Sequence, residues 1–187
     1  MVNIPLLYIF GASGSGTTTL GRAVSEALGW RHFDIDDYYW LPTDPPYTAA
    51  RPREERLPLL LEHMRSAAGA VLTGWGKGWV YPLIPEFTLA VRLILEPSLR
   101  LERLEARERA NFGSRIDPGG DMHENHREFM AWAARFDTGG LDMRSRASLD
   151  AWQARMACQV LTLDSANSVE DNLAKVIREL QAKETRS

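Results

Sequence analysis

Apolar runs alternate with amphipathic stretches along the whole chain. Leu6-Leu7-Tyr8-Ile9-Phe10 reads as a buried strand, and Leu20, Ala23, Val24, Ala27 and Leu28 then recur at the spacings of a one-sided helix that Gly29 can end. Trp30 to Asp34 reads as a second short strand. Prolines at 42, 45, 46 and 52 forbid regular structure until a helix over about Arg53 to Ala68. Its Leu57, Leu60, Leu61 and Met64 point inward, with Pro58 as a kink. Ala70 to Thr73 is a third strand, and Leu89 to Leu95 a fourth. Arg92 interrupts that fourth run and must reach an edge or find a carboxylate. From Ser98 to about Ala110 a helix turns Leu99, Leu101 and Leu104 inward and Arg100, Arg103 and Arg107 to another side, where Glu102, Glu105 and Glu108 make a solvated face for Arg100 and Arg103. Residues 111 to 125, with Gly113, Pro118, Gly119 and Gly120, read as an open loop. Helical patterns return around Asn125 to Arg135 and Ser148 to Met156, divided by Gly139-Gly140. Val160 to Leu163 is a fifth strand, and Ser168, with Asp171 in the capping-box position, opens a last helix. Strands alternating with helices predict an α/β fold, its mostly parallel sheet covered on both faces and its ligands at the carboxyl ends of the strands.

Composition narrows the picture. The chain of 187 residues suits one α/β domain, and 44% hydrophobic and 25% charged residues with a net charge of −3 supply no basic excess for nucleic acid. Lysine occurs only at 77, 175 and 183, so arginine, whose fork suits phosphate and carboxylate oxygens, dominates the basic side chains. Cys158 is the sole cysteine, which excludes an intrachain disulfide or a cysteine zinc cluster and fits a reducing cytoplasm. No apolar run approaches the roughly 18 to 20 residues of a membrane span. Met1 to Phe10 lacks a basic start and a cleavage site and reads as a core strand rather than a signal peptide.

Chemistry concentrates first in Gly11-Ala12-Ser13-Gly14-Ser15-Gly16-Thr17-Thr18-Thr19, between the first strand and the first helix. Glycines there allow positive φ and inward-facing N–H groups, and the helix N-terminus adds partial positive charge, which together cradle phosphate. The spacing fits G-x-x-x-x-G-K-[ST] with Gly11, Gly16 and the Mg²⁺-side hydroxyl Thr18, except that Thr17 stands where the lysine belongs.

Asp34, Asp36 and Asp37 follow the second strand. On an extended segment Asp34 and Asp36 point the same way, one toward a Mg²⁺ water and the other toward a substrate hydroxyl; a solvated acidic turn is the alternative. Tyr38, Tyr39 and Trp40 either stack on a substrate ring or seal the core. Gly74-Trp75-Gly76-Lys77-Gly78-Trp79 is a second glycine-rich strand exit, whose Lys77 either reaches toward phosphate or is solvated. Arg107, Arg109 and Arg115 are candidates for clamping phosphate. His123 and His126 show no metal-ligand pattern and read as surface residues. The segments 11 to 18, 34 to 40 and 74 to 79 all fall at strand ends and so converge on one rim.

On these residues the chain resembles the P-loop kinases of the nucleoside monophosphate kinase and shikimate kinase type, including adenylate kinase-like and topology modulation proteins, with a variant Walker A motif. The resemblance implies a three-layer α/β/α P-loop NTPase fold over residues 1–187, with sheet order 2-3-1-4-5, a substrate cover over 38–68 and a lid over 111–125. It implies ATP or another nucleoside triphosphate, Mg²⁺ on Thr18 and Asp34, Asp36 as the substrate-orienting carboxylate and base, and Arg107, Arg109 or Arg115 as lid arginines. The acceptor is then a nucleotide or small metabolite, and the protein a cytoplasmic monomer or homodimer. Loss of the loop lysine leaves a second reading open, a nucleotide binder with little turnover.

Overall fold

The computed structural model describes residues 4–76 and 78–185. Five parallel strands form one sheet: β1 (Leu6–Gly11), β2 (Arg31–Asp34), β3 (Ala70–Thr73), β4 (Leu89–Ile94) and β5 (Val160–Asp164), in the order β2-β3-β1-β4-β5. This is the order the resemblance implies. β1 lies at the centre with every residue buried, and alternate side chains serve opposite faces.

Leu7 and Ile9 join Leu20, Val24, Val176 and Leu180 beneath α1 (Thr17–Leu28) and α7 (Val169–Glu184). Leu6, Tyr8 and Phe10 join Leu60, Met64, Leu149 and Trp152 beneath α3 (Arg53–Met64) and α6 (Arg146–Gln153). Tyr8 stacks on Phe87 at 4.7 Å, and its hydroxyl donates to the Gly74 carbonyl at 2.9 Å, fastening β1 to the end of β3. Ser168 caps α7 as expected, accepting from the Asp171 N–H. Arg92 finds its carboxylate in Asp150, 2.6 Å away. Among the described residues no helix is long and apolar enough to cross a membrane.

Two sequence expectations are corrected here. Residues 34 to 39 are not extended: Asp34 ends β2 and N-caps a short helix, α2 (Ile35–Tyr39), by accepting from the Asp36 N–H at 3.1 Å. In α4 (Pro97–Phe112) the buried residues are Arg100, Leu104 and Glu108, while Leu99 and Leu101 are only partly covered. Arg100 is 1% exposed, bonded to Asp137 at 3.0 Å and to the Ala133 carbonyl at 3.2 Å, with its guanidinium over the Phe136 ring. Its partner lies 37 residues downstream, so charge spacing within the helix mistakes this side for a solvated face.

The segment after α4 is also more ordered than an open loop. A 3-10 turn (Gly113–Ile116) leads to α5 (His123–Ala134), a second one (Arg135–Asp137) follows, and Asp117 and Asp121 tie the first turn down through Arg109 and Arg115. His123 and His126 are partly buried rather than surface residues: His123 Nδ1 meets the Ile116 carbonyl, and His126 Nε2 lies 3.0 Å from Glu105. No cluster of three or more His, Cys, Asp or Glu among the described residues is placed to hold a metal.

Candidate functional site

The carboxyl ends of the strands open onto a cleft of about 1830 Å³. Its floor is the glycine-rich turn between β1 and α1. Gly14 and Gly16 take φ of 80° and 84°, which turns the chain tightly enough to start α1 at Thr17. Ser15 is fully buried and donates its hydroxyl to the Ala12 carbonyl, pinning the turn from below. Ser13, Gly14, Gly16, Thr17, Thr18 and Thr19 line the cleft, whereas Gly11 and Ser15 sit behind them. A Cβ at Gly14 would lie 2.5 Å from the Arg100 carbonyl, so the turn rests directly on α4.

Thr18 Oγ1 donates to Asp34 Oδ2 at 2.8 Å. Because Asp34 Oδ1 caps α2, the carboxylate is held at both oxygens, and the hydroxyl and carboxylate lie side by side at the loop's edge. A hard cation that keeps most of its waters is bound by such a pair, so the residues fit Mg²⁺. Asp36, on the first turn of α2, also lines the cleft. Its carboxyl is open to the cleft yet confined between protein walls. Confinement first, then the neighbouring Asp34 charge, pushes its pKa up to about 6 against the opposing pull of Arg144 and Arg107.

The wall beyond Asp36 is aromatic. Tyr39, Trp40 and Tyr47 form a chain of edge contacts at 4.7 and 6.0 Å, and Trp75 and Trp79 face the same space. Tyr38 is buried and bonds His63, so it seals the core, while Tyr39 and Trp40 line the cleft. Tyr47 holds φ at 63°, a conformation costing a non-glycine residue roughly 1–2 kcal/mol. Within the expected cover over 38–68 only residues between 39 and 48 reach the cleft; α3 packs against the sheet. Gly74, at φ 106°, also lines it, and Lys77 lies outside the described residues.

The three candidate arginines separate. Arg107 lines the cleft, paired with the buried Glu108 at 2.9 Å. Arg109 binds Asp117 at 2.7 Å, and Arg115 binds Asp121 and, across to the cover, Asp44 at 2.7 Å. Neither lines the cleft. Hydrogen bonds donated to Asp121 and Asp44 hold the Arg115 guanidinium more firmly protonated than usual. Lid residues that do reach the cleft are Asn111, Met122 and Asn125.

Two cleft arginines, Arg22 on α1 and Arg144, were not singled out by sequence, and only Arg144 bonds to the glycine-rich turn among the described residues. Arg144, just before α6, donates from Nε and Nη2 to the Gly11 carbonyl at 3.1 and 2.6 Å, and from Nη1 to Ser13 Oγ at 3.3 Å. Burial lowers its pKa, partly offset by Asp36 and then Tyr8 and Asp34. The only local signal is its place just beyond the Gly139-Gly140 turn. On the opposite wall, Ser165 to Ser168 between β5 and α7, with Val169 and Asn172 of the first turn of α7, complete the cleft, and Arg103 holds the Ser165 carbonyl. Trp79 Nε1 and Asn172 Oδ1, both in lining residues, are buried polar atoms with no hydrogen-bond partner among the described residues.

No family model matches the chain. The uncharacterized protein YqaC of Bacillus subtilis is 36% identical over 171 residues, which span 91% of this chain and 94% of that protein. A probable gluconokinase of Xenopus tropicalis is 36% identical over a shorter stretch of 59 residues, 30% of this chain and 31% of that protein. Among solved structures, shikimate kinase from Acinetobacter baumannii in complex with shikimate superposes with a TM-score of 0.55 at 17% identity, covering 97% of this chain and 96% of that one. A gluconokinase from Sinorhizobium meliloti gives 0.50 at 17% identity, covering 98% and 97%. At such identities the likeness is one of fold.

Proposed function

The chain belongs to one family with YqaC of Bacillus subtilis and has the P-loop kinase fold, and on that footing we propose that it transfers the γ-phosphoryl group of ATP to a hydroxyl of a small metabolite or nucleotide. The observation that carries this reading is the placing of Asp36 and the Thr18–Asp34 pair on one cleft with the phosphate-cradling turn. Loop N–H groups and the start of α1 favour the β-phosphate. The wall from Ser165 to Asn172 is the face left for the base. Thr18 and Asp34 would hold Mg²⁺, which when bound neutralises phosphate charge.

Asp36 orients the acceptor hydroxyl. Its oxygen bonds to the γ-phosphorus as the bond from that phosphorus to the β–γ bridging oxygen breaks, the hydroxyl proton passes to the Asp36 carboxylate, and ADP leaves. A pKa near 6 keeps Asp36 ionised at neutral pH while leaving it a stronger proton acceptor than an ordinary aspartate. The aromatic wall suits an acceptor with an apolar or planar face. Arg107, neutralised in part by Glu108, lines the cleft where the transferring group would sit; Arg109 and Arg115 serve instead to brace the lid and tie it to the cover.

Incubation with ATP, Mg²⁺ and a panel of hydroxylated metabolites and nucleoside monophosphates tests the reading. A phosphorylated product that disappears in Asp36→Asn supports it. Nucleotide binding with no product from any acceptor favours the alternative of a binder with little turnover.

A further inference from the structure

Thr17 removes the charge from the position where the loop pattern expects a lysine. The cleft holds other cations. Arg103 is spent on Ser165 and Arg107 on Glu108, Arg22 stands on α1 near Asp37 and His32, and among the described residues none of the three has a hydrogen bond to the glycine-rich turn. Arg144 does, from 133 residues away: its head is fastened to Gly11 and Ser13, at the turn's first half. Three hydrogen bonds to the turn leave two of the five guanidinium N–H groups for an anion.

The flanks of Arg144 fix it in place. Ser145 caps α6 reciprocally with Ser148, and its hydroxyl also donates to the Gly140 carbonyl at 2.7 Å. Arg146 binds Asp137, the carboxylate that holds the buried Arg100 under Gly14. Ser145 is thus fixed to α6 and the Gly140 turn, and Arg146 to the pair beneath Gly14, so the guanidinium is presented without having to be ordered when a ligand arrives.

We propose that Arg144 is the phosphate-binding cation of this loop, a guanidinium delivered from a distant segment in place of the lysine, and that it engages the β- and γ-phosphate oxygens of a nucleoside triphosphate. The assignment rests on the nucleotide reading of the site. A fork that grips two oxygens suits polyphosphate, and arginine stays protonated despite burial beside Asp36 and Asp34.

Calorimetric titration of ATP, ADP and AMP into the full chain and into Arg144→Gln, Arg144→Lys and the double variant Arg144→Gln/Thr17→Lys tests it, with melting temperature as the check on folding. Glutamine keeps a donor for the Gly11 carbonyl and removes the charge. Arg144→Gln is expected to weaken ATP and ADP at least tenfold and AMP less than twofold, Arg144→Lys, which keeps the charge and loses the fork, to fall between wild type and Arg144→Gln, and Thr17→Lys to restore most of the ATP affinity lost. Unchanged ATP affinity in Arg144→Gln overturns the assignment. So do equal losses for ATP and AMP that Thr17→Lys leaves unrepaired, because they point to a structural role. Wild-type protein that binds none of the three nucleotides overturns the nucleotide reading itself, an outcome separate from any behaviour of the variants.

Discussion

Arg100 and Asp137 form an ion pair at 3.0 Å in which the arginine side chain is 1% exposed, and Arg146 shares the same carboxylate from the solvent side. A buried charge deprived of its partner costs far more than the pair contributes. Asp137→Ala is therefore expected to destabilise the protein by about 3–5 kcal/mol, read in denaturant unfolding. Arg100→Met in the same background should recover part of the loss, since it removes the stranded charge and keeps the packing under Phe136.

Turnover should depend on pH through Asp36. Its pKa is raised to about 6, so the carboxylate that accepts the hydroxyl proton is present above that value and lost below it. The pH profile of kcat/KM is expected to rise through an acid limb with its midpoint near pH 6 and to level off about one pH unit above it. Asp36→Asn should lower kcat by roughly 10²–10⁴-fold and abolish the limb.

The Thr18–Asp34 pair predicts a metal phenotype. Asp34→Ala removes one side of the pair and the cap of α2 together, so two readouts move. The Mg²⁺ concentration for half-maximal turnover should rise by about tenfold or more, and folding stability should drop by about 1 kcal/mol. Thr18→Ala should reproduce the first effect and not the loss of the cap.

Gly14→Ala probes the seat of the turn. A side chain there meets positive φ and the Arg100 carbonyl at 2.5 Å, so the turn must shift. The strain is about 1–2 kcal/mol from φ alone. ATP affinity is expected to collapse with little change in secondary structure, which circular dichroism and titration together would show.

Much of the fold is legible in the sequence because β1, its turn and α1 obey local rules: a buried apolar run, glycines where φ turns positive, and one apolar helical stripe closed by Gly29. The convergence of 11–18, 34–40 and 74–79 follows from parallel topology. What stays hidden depends on pairs distant in sequence. Arg100 reads as solvated because its glutamate neighbours are visible and Asp137 is not. Arg109 and Arg115 read as clamps because nothing local shows that Asp117, Asp121 and Asp44 satisfy them. Arg144 carries little local mark because its importance is conferred by Gly11, 133 residues earlier in the chain. Asp34 was placed correctly at a strand end, but its role as a helix cap depends on the chain turning at Ile35, which the core fully buries.

The central position of β1 has a consequence for biogenesis. Its two neighbours, β3 and β4, end only at residues 73 and 94, so an emerging chain carries its most apolar strand with both edges unpaired while the intervening segment is made. Exposed hydrophobic edges of this kind invite intermolecular pairing. The order of strands therefore leaves β1 without its full pair of neighbours until about half of the chain has been made, and places completion of the sheet's centre after β4.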